Sequence, residues 1–149
     1  MYKLRANVLV VGETSVGKTT LVNMYISNGQ NYIKDYNMTK GVEIESKLIP
    51  VESVERDVEL YLFDTSGHIL YKQIVEQVYP KAHYLVMVYD CTNKESFEYL
   101  QKEYEAIKKV HGTNLPGVVV SSKNDLVNMK IIDASAGESL AKKIQNGFL

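Results

Sequence analysis

The sequence predicts one α/β domain over residues 1–149, with a mostly parallel sheet and helices on both faces. Three near-continuous apolar runs indicate strands that are covered on both sides, namely NVLVV (7–11), YLVMVYD (84–90) and GVVVSS (117–122). Helical patterns separate these runs, which is the arrangement that parallel strands require. We see no internal repeat or linker, so a single domain is expected.

A hairpin is predicted between two further apolar stretches, VEIESKLIPV (42–51) and VELYLFD (58–64). Only the polar segment ESVERD (52–57) separates them. Because so short a connection can join only antiparallel neighbours, one strand pair should be antiparallel.

The clearest helix signal lies between the last two strands. Apolar residues recur there at steps of three and four, namely Phe97, Leu100, Tyr104 and Ile107. Thr92 and Glu95 have the spacing of a capping box at its start. The segment KEYEAIKK (102–109) predicts the solvated face of the same helix.

Two other helical patterns have clear boundaries. Pro80 should end the first, whose apolar face consists of Tyr71, Ile74, Val75 and Val78. The second should begin after Asp133 as its cap and stop at Gly147. Its apolar face consists of Ala136, Leu140 and Ile144.

Composition excludes several classes of protein. The chain has 149 residues, 45% hydrophobic and 23% charged, which is typical of a globular domain. A net charge of -1 provides no long-range field for nucleic acid. The single cysteine, Cys91, indicates a reducing, cytoplasmic setting. We find no membrane-length apolar run, signal peptide or lipidation motif, and therefore expect no direct lipid anchor.

A phosphate-binding loop is predicted at GETSVGKTT (12–20), which follows a strand and opens a helical pattern. The unpaired amides at a helix start carry partial positive charge, and a glycine-bearing loop can turn them toward one phosphate. Lys18 would supply a point charge to the terminal phosphates and act in catalysis, and Thr19 a hydroxyl for Mg²⁺. The predicted nucleotide-binding residues here are Gly12, Thr14, Ser15, Val16, Gly17, Lys18, Thr19 and Thr20.

The segment SSKND (121–125) bears on the choice of base. The Asp125 carboxylate could accept both the ring N–H and the exocyclic amine of guanine, an edge that adenine does not offer. The stem of Lys123 would lie over the base. The alternative is a polar exit from a strand, which the phosphate-binding loop makes less favoured.

These motifs together resemble those of Ras-like small GTPases, because the phosphate-binding loop, DTSG (64–67) and SKND (122–125) follow in that family's order and spacing. VYDCTNKESF (88–97) and MTKGVEI (38–44) are similar to the Rab type. The resemblance implies a P-loop NTPase fold of six strands and five helices. We expect the family's last strand and helix to be missing because the chain is truncated; a partner that completes the sheet edge is the alternative.

A finer resemblance is carried by three segments that are similar to the Rab-like GTPase of the intraflagellar transport B complex. They are SNGQNYIKDYNMTKGVE (27–43), LFD (62–64) and LPGVVVSSKNDL (115–126). This resemblance implies protein partners, namely a small β-sandwich subunit and other subunits of that complex. It also implies a place in the cilium or flagellum.

The resemblance assigns roles to four residues outside the loop. Thr39 would bind Mg²⁺ and read the γ-phosphate, and Asp64 would hold the metal through water. Gly67 would present its amide to the γ-phosphate. Tyr32 would pack edge-on against guanine. GTP or GDP and Mg²⁺ are therefore the expected ligands.

Three residues depart from the family pattern. His68 replaces the glutamine that orients the attacking water, and a neutral imidazole has only one acceptor. Thr14 replaces a glycine and would crowd an arginine finger, which contributes roughly 10³ to 10⁵ in rate. Ser122 replaces an asparagine that braces the loop, at a cost of about 0.5–1.5 kcal/mol. We expect slow GTP hydrolysis and a weakened guanine preference; the alternative is that His68 still positions water.

The sequence leaves several functions open. The first is a GTP-dependent switch that hydrolyses slowly and cycles by partner action. The second is a structural subunit whose nucleotide stabilises an assembly surface, and a Rab GTPase of vesicle traffic is a further alternative. A P-loop ATPase or small kinase is disfavoured, because Asp125 would be unexplained and no arginine-rich lid is evident.

Overall fold

The computed structural model describes residues 4–54 and 56–145. Its strands are β1 (Leu4–Val11), β2 (Val42–Val51), β3 (Arg56–Thr65), β4 (Tyr84–Asp90) and β5 (Gly117–Ser122). Its helices are α1 (Lys18–Ile26), α2 (Lys72–Glu76), α3 (Lys94–His111) and α4 (Ala134–Gln145). None of these helices is long and apolar enough to cross a bilayer.

The strands form one five-stranded sheet in the order β2-β3-β1-β4-β5. β1 is parallel to both β3 and β4, and β4 is parallel to β5. The carboxyl ends of β1, β3, β4 and β5 therefore meet at one edge, where the loops that carry the predicted motifs begin. This confirms the predicted α/β fold with a mostly parallel sheet.

The predicted hairpin is confirmed, since β2 and β3 pair antiparallel from Val42 opposite Thr65 to Val51 opposite Arg56. The strand β3 begins inside the polar segment that sequence analysis assigned to the connection. Beyond the strand pair, the Ser66 N–H donates to the Gly41 carbonyl at 2.8 Å. This bond ties the chain before β2 to the chain after β3.

Alternate residues of the inner strands pack on opposite faces of the sheet. On one face, Leu9 and Met87 pack with buried residues of α2, α3 and α4. On the other face, Val8, Val10 and Val88 pack against α1. Helices therefore cover both faces, as predicted, and hold β1 and β4 rigidly at the centre.

The predicted capping box of α3 is wrong. The cap is Asn93, whose side chain accepts from the Ser96 N–H at 3.2 Å, while Thr92 donates to the Asp90 carboxylate. The predicted solvated face of this helix is also wrong at one position, because Glu103 is only 4% exposed. Its burial has consequences for the segment that contains α2.

The helix predicted before Pro80 is shorter than expected. α2 spans only five residues, and 3-10 turns flank it at Ile69–Tyr71 and Tyr79–Lys81. Of the predicted apolar face, only Val75 is fully buried, and Ile74 is 50% exposed. α4 begins directly after Asp133, whose carbonyl accepts from the main chain of α4, and the predicted stop at Gly147 lies outside the described residues.

Candidate functional site

The loop between β1 and α1 has the backbone that a phosphate cradle needs. A Cβ at Gly12 would lie closer than 3.0 Å to the carbonyl oxygen of Val88, so no other residue fits there. Ser15 and Gly17 adopt left-handed φ values of 65° and 101°. Gly17 precedes the first turn of α1 and has no side chain to cap it. The amides of that turn are therefore available to an anion.

Lys18 lies within this cradle and is buried. Its Nζ donates to the carbonyls of Gly12 at 2.9 Å and Glu13 at 2.6 Å. Burial lowers the pKa of Lys18 to about 8, although the negative charges of Asp64, Glu103 and Glu13 oppose that shift. The loop thus fixes a cationic group beside its own amides, where the charge of a phosphate would stabilise the protonated form.

Three oxygen-bearing side chains from separate segments converge next to Lys18. The Thr19 hydroxyl donates to Asp64 Oδ2 at 2.5 Å and lies 3.0 Å from the Thr39 hydroxyl. Asp64 Oδ1 is buried and has no hydrogen-bond partner within residues 4–54 and 56–145. Burial raises the pKa of Asp64, and the hydrogen bond from Thr19 acts against that shift.

This oxygen cluster suits a hard divalent cation, because Mg²⁺ prefers carboxylate and hydroxyl oxygens and keeps several waters. An additional positive charge would satisfy the buried Asp64 Oδ1, which is otherwise costly. Among the described residues, no group of three or more His, Cys, Asp or Glu side chains could hold a metal. The oxygen cluster of Thr19, Thr39 and Asp64 contains one carboxylate and two hydroxyls.

The segment after β3 lies directly against the phosphate cradle. A Cβ at Gly67 would come closer than 3.0 Å to main-chain atoms of Gly12, Glu13 and Thr14, so only glycine permits this approach. The next residue, His68, is partly buried, and its Nδ1 accepts from the Leu70 N–H at 3.2 Å. Since the acceptor nitrogen is used, a neutral His68 carries its hydrogen on Nε2.

One cleft of about 440 Å³ brings most of the predicted nucleotide-binding residues together. Its lining includes Thr14, Ser15, Gly17, Lys18, Thr19, Thr20, Tyr32, Thr39 and Gly67. Tyr32 is 63% exposed, so its ring is accessible to a ligand. Gly12, Val16, Asp64 and His68 do not line it.

The residues predicted to read the base do not line this cleft. The Ser122 hydroxyl donates to the Tyr89 carbonyl at 2.9 Å, which joins β5 to β4. Lys123 has a left-handed φ of 58°, and its Nζ lies 2.6 Å from Asp90 Oδ2. Asp125 is exposed on the loop that follows. The loop that carries Lys123 and Asp125 follows the carboxyl end of β5.

Sequence reasoning missed Asp90 and Ser66. Asp90 is buried, and despite that burial its bonds with Lys123 and Thr92 lower its pKa. The sequence contained a signal for Asp90, because it ends an apolar strand as Asp64 does. Ser66 lines the cleft, and its hydroxyl accepts from the His68 N–H at 3.2 Å. It lies inside the DTSG segment but has no role assigned by the resemblance.

The comparison with protein families decides the identity of the fold. A sequence profile of the Ras family matches residues 7–149. The chain belongs to the Ras family. This confirms the resemblance that the phosphate-binding loop and the DTSG and SKND segments carried.

Curated relatives of this Ras-family chain fall into two groups. It is 35% identical over 142 residues to the bovine (Bos taurus) intraflagellar transport protein 27 homolog, covering 95% of the chain and 76% of the relative. It is 38% identical over 126 residues to intraflagellar transport protein 27 of Chlamydomonas reinhardtii, covering 83% and 62%. It is 29% identical over 148 residues to the Ras-related protein RABD1 of Arabidopsis thaliana, covering 99% and 70%.

Proposed function

We propose that this Ras-family protein is a GTP-dependent, Mg²⁺-requiring switch that hydrolyses GTP slowly and acts in intraflagellar transport. The observation that carries the proposal is the meeting of three parts at one cleft: the Lys18 cradle, the Thr19, Thr39 and Asp64 oxygens, and Gly67. Mg²⁺, a phosphate of the nucleotide and the segment that carries Gly67 would all interact there. This is the arrangement in which a terminal phosphate determines the position of a loop.

Thr19, Thr39 and Asp64 would hold the metal, the first two through their hydroxyls and Asp64 through water. Bound Mg²⁺ would neutralise part of the phosphate charge. Thr39 lies in the segment before β2 and Asp64 at the end of β3, while Gly67 follows Asp64 by three residues. A phosphate that pulls on Thr39 and Gly67 together would order both segments.

Slow hydrolysis follows from the orientation of His68. With Nδ1 accepting from Leu70, the neutral ring has only its Nε2–H to offer, which donates and does not accept. A water that must lose a proton gains no acceptor from this ring. Thr14 adds a side chain to the lining of the cleft. Both features support weak intrinsic activity, with His68 as an orienting group at most.

Guanine preference would come from Asp125, with the Lys123 stem beside the base and Ser122 making a smaller contribution. The ion pair of Lys123 with Asp90 holds the start of the base-reading loop near the sheet. Calorimetry with GTP, GDP and ATP tests this part of the proposal. Tighter binding of the guanine nucleotides is expected, and equal affinity for ATP would exclude base reading by Asp125.

The role in transport is supported by the relatives named intraflagellar transport protein 27. By the resemblance of the sequence segments, the partners would be a small β-sandwich subunit and other subunits of the B complex, and the site of action would be the cilium or flagellum. The segment after Gly67 offers a contact surface, since Ile69 and Leu70 are 77% and 78% exposed. A nucleotide-stabilised structural subunit is the second candidate, favoured by the poor water-activating geometry of His68.

Extraction of nucleotide from protein purified in Mg²⁺, followed by chromatography, is the first test, with GDP or GTP as the expected content. Single-turnover measurements should then give hydrolysis that is very slow without a partner. Substitution of Lys18 separates the two candidates. A switch should lose partner binding, whereas a structural subunit should lose stability more than affinity.

A further inference from the structure

A buried polar cluster links α3 to the segment that follows the phosphate-sensing glycine. Lys72 and Tyr79 each donate to one oxygen of the Glu103 carboxylate. Lys72 Nζ also lies 3.0 Å from the Tyr79 hydroxyl, so the three groups close a ring of hydrogen bonds. Glu103 is 4% exposed and Tyr79 is fully buried. This carboxylate therefore has its partners inside the protein and not in water.

The residues of this cluster do not line the nucleotide cleft, but the charge of Glu103 acts on Lys18 within the cleft. Tyr99 lies one turn before Glu103 on α3, and burial followed by the Glu103 charge raises the pKa of Tyr99. The charge of Glu13, in the phosphate loop, acts on Tyr99 in the same direction. Glu103 and Glu13 both act on Lys18. Thus Glu103 is electrostatically coupled to the cradle and bonded to the segment after it.

The segment itself is divided into two parts by these contacts. Ile69 and Leu70 are the most exposed large apolar residues of the segment, at 77% and 78%. Beyond Lys72 the chain is anchored, because Val75 is 2% exposed and Tyr79 is fully buried. Lys72 stands at the boundary, as the first residue of α2. Ile69 and Leu70 can move without breaking a buried bond, and the anchored part cannot.

We propose that Glu103 is the positioning residue of this segment, which fixes α2 and Tyr79 against α3 and confines nucleotide-dependent movement to residues 66–71. The inference rests on the proposed function, since it requires a nucleotide that moves Gly67. A carboxylate that accepts from the first residue of α2 and from Tyr79 in the following turn restrains both the position and the rotation of the chain between them. Partners would then read the state of the nucleotide from Ile69 and Leu70 and not from α2.

Hydrogen exchange measured by mass spectrometry tests the anchor. In the GDP-bound protein, Glu103→Gln should speed the exchange of amides 73–81 by roughly 10- to 100-fold, as loss of a hydrogen bond to a charged group predicts. Lys72→Met removes the donor instead and should give a change in the same amides. Glu105→Gln is the control, because Glu105 on the same helix pairs with Lys143 at the surface.

A second comparison tests positioning as opposed to simple stabilisation. In the wild-type protein, replacing GDP with a non-hydrolysable GTP analogue should change exchange within residues 66–71 and leave amides 73–81 unchanged. In Glu103→Gln and Lys72→Met the nucleotide-dependent change should extend through residue 81. A purely structural role would lower protection equally in both nucleotide states.

The proposal is overturned if wild-type amides 73–81 respond to the nucleotide as strongly as residues 66–71. It is also overturned if both variants exchange like Glu105→Gln. Failure of Glu103→Gln to fold leaves Lys72→Met as the test, because Lys72 is partly exposed. Failure of the proposed function would appear separately, as absence of bound guanine nucleotide in the wild type, and exchange in buffer alone would still test the anchor.

Discussion

The Thr19 hydroxyl donates to Asp64 across 2.5 Å, which joins the first turn of α1 to the end of β3. The bond links two segments that are 45 residues apart in the chain. It leaves the other oxygen of Asp64 buried and without a partner among the described residues. The loop that would bind phosphate and the strand that would hold the metal therefore share one oxygen cluster.

Thr19→Ala should weaken GTP binding only when Mg²⁺ is present. Loss of the hydroxyl removes one metal ligand, and we expect GTP affinity in Mg²⁺ to fall about 10- to 100-fold, equivalent to about 1.4–3 kcal/mol. With the metal chelated, the variant and the wild type should bind alike. Calorimetry with and without Mg²⁺ measures both. Thr113→Ala, in the loop after α3, is the control, and an equal loss with and without metal would contradict the assignment.

Gly67→Ala should prevent the close approach of the segment after β3 to the cradle. Its Cβ would collide with main-chain atoms of Glu13 and Thr14, which cannot move without distorting the loop. We expect a loss of roughly tenfold or more in GTP affinity, with a smaller loss for GDP. Gly112→Ala is the control, since its Cβ meets nothing within 4 Å and only its φ of 79° is strained. Unchanged GTP binding in Gly67→Ala would show that this contact is not used.

His68→Gln should speed GTP hydrolysis. A glutamine supplies a carbonyl acceptor for water that the histidine lacks while Nδ1 is bonded to Leu70, and we expect an increase on the order of tenfold. Phosphate release under single-turnover conditions measures the effect. His83→Gln, remote from the cleft, should leave the rate unchanged. A slower His68→Gln variant would mean that His68 positions water itself.

Asp90→Asn should lower stability in a pH-dependent way. The pKa of Asp90 is lowered in the folded protein, so its carboxylate stabilises the fold above the ordinary value of 3.8 and loses that effect as pH falls through the folded pKa. The partner Lys123 is partly solvated, so we expect about 1–2 kcal/mol at pH 7. Urea unfolding of both proteins between pH 3 and 7 measures the difference. A difference that stays constant down to pH 3 would contradict this assignment.

Local motifs account for what sequence analysis predicted well. The cradle is specified by a strand, two glycines and a helix start that are adjacent in the chain, so its geometry depends little on distant residues. The parallel sheet was likewise evident, because strands buried on both faces are apolar throughout. The role of Asp64 was assigned by resemblance, and the structure adds its bond to Thr19.

The misses have identifiable physical causes. Thr92 and Asn93 are adjacent, and both side chains are able to cap a helix. The Thr92 hydroxyl donates to Asp90 instead, so Asn93 is left to accept from the Ser96 N–H. Glu103 was assigned to solvent because a carboxylate in a charged stretch usually faces water. Its donors, Lys72 and Tyr79, come from another segment, and only tertiary packing brings them together.

The bond between Ser66 and Gly41 also shows which residues of β2 bond to β3 and which remain for another chain at the free edge. Since odd-numbered residues of β2 hydrogen-bond to β3, the even-numbered ones direct their amides outward. Pro50 is even-numbered and has no N–H to offer. A strand that docks on this edge can therefore form continuous main-chain bonds only up to Leu48, which restricts uncontrolled edge-to-edge growth.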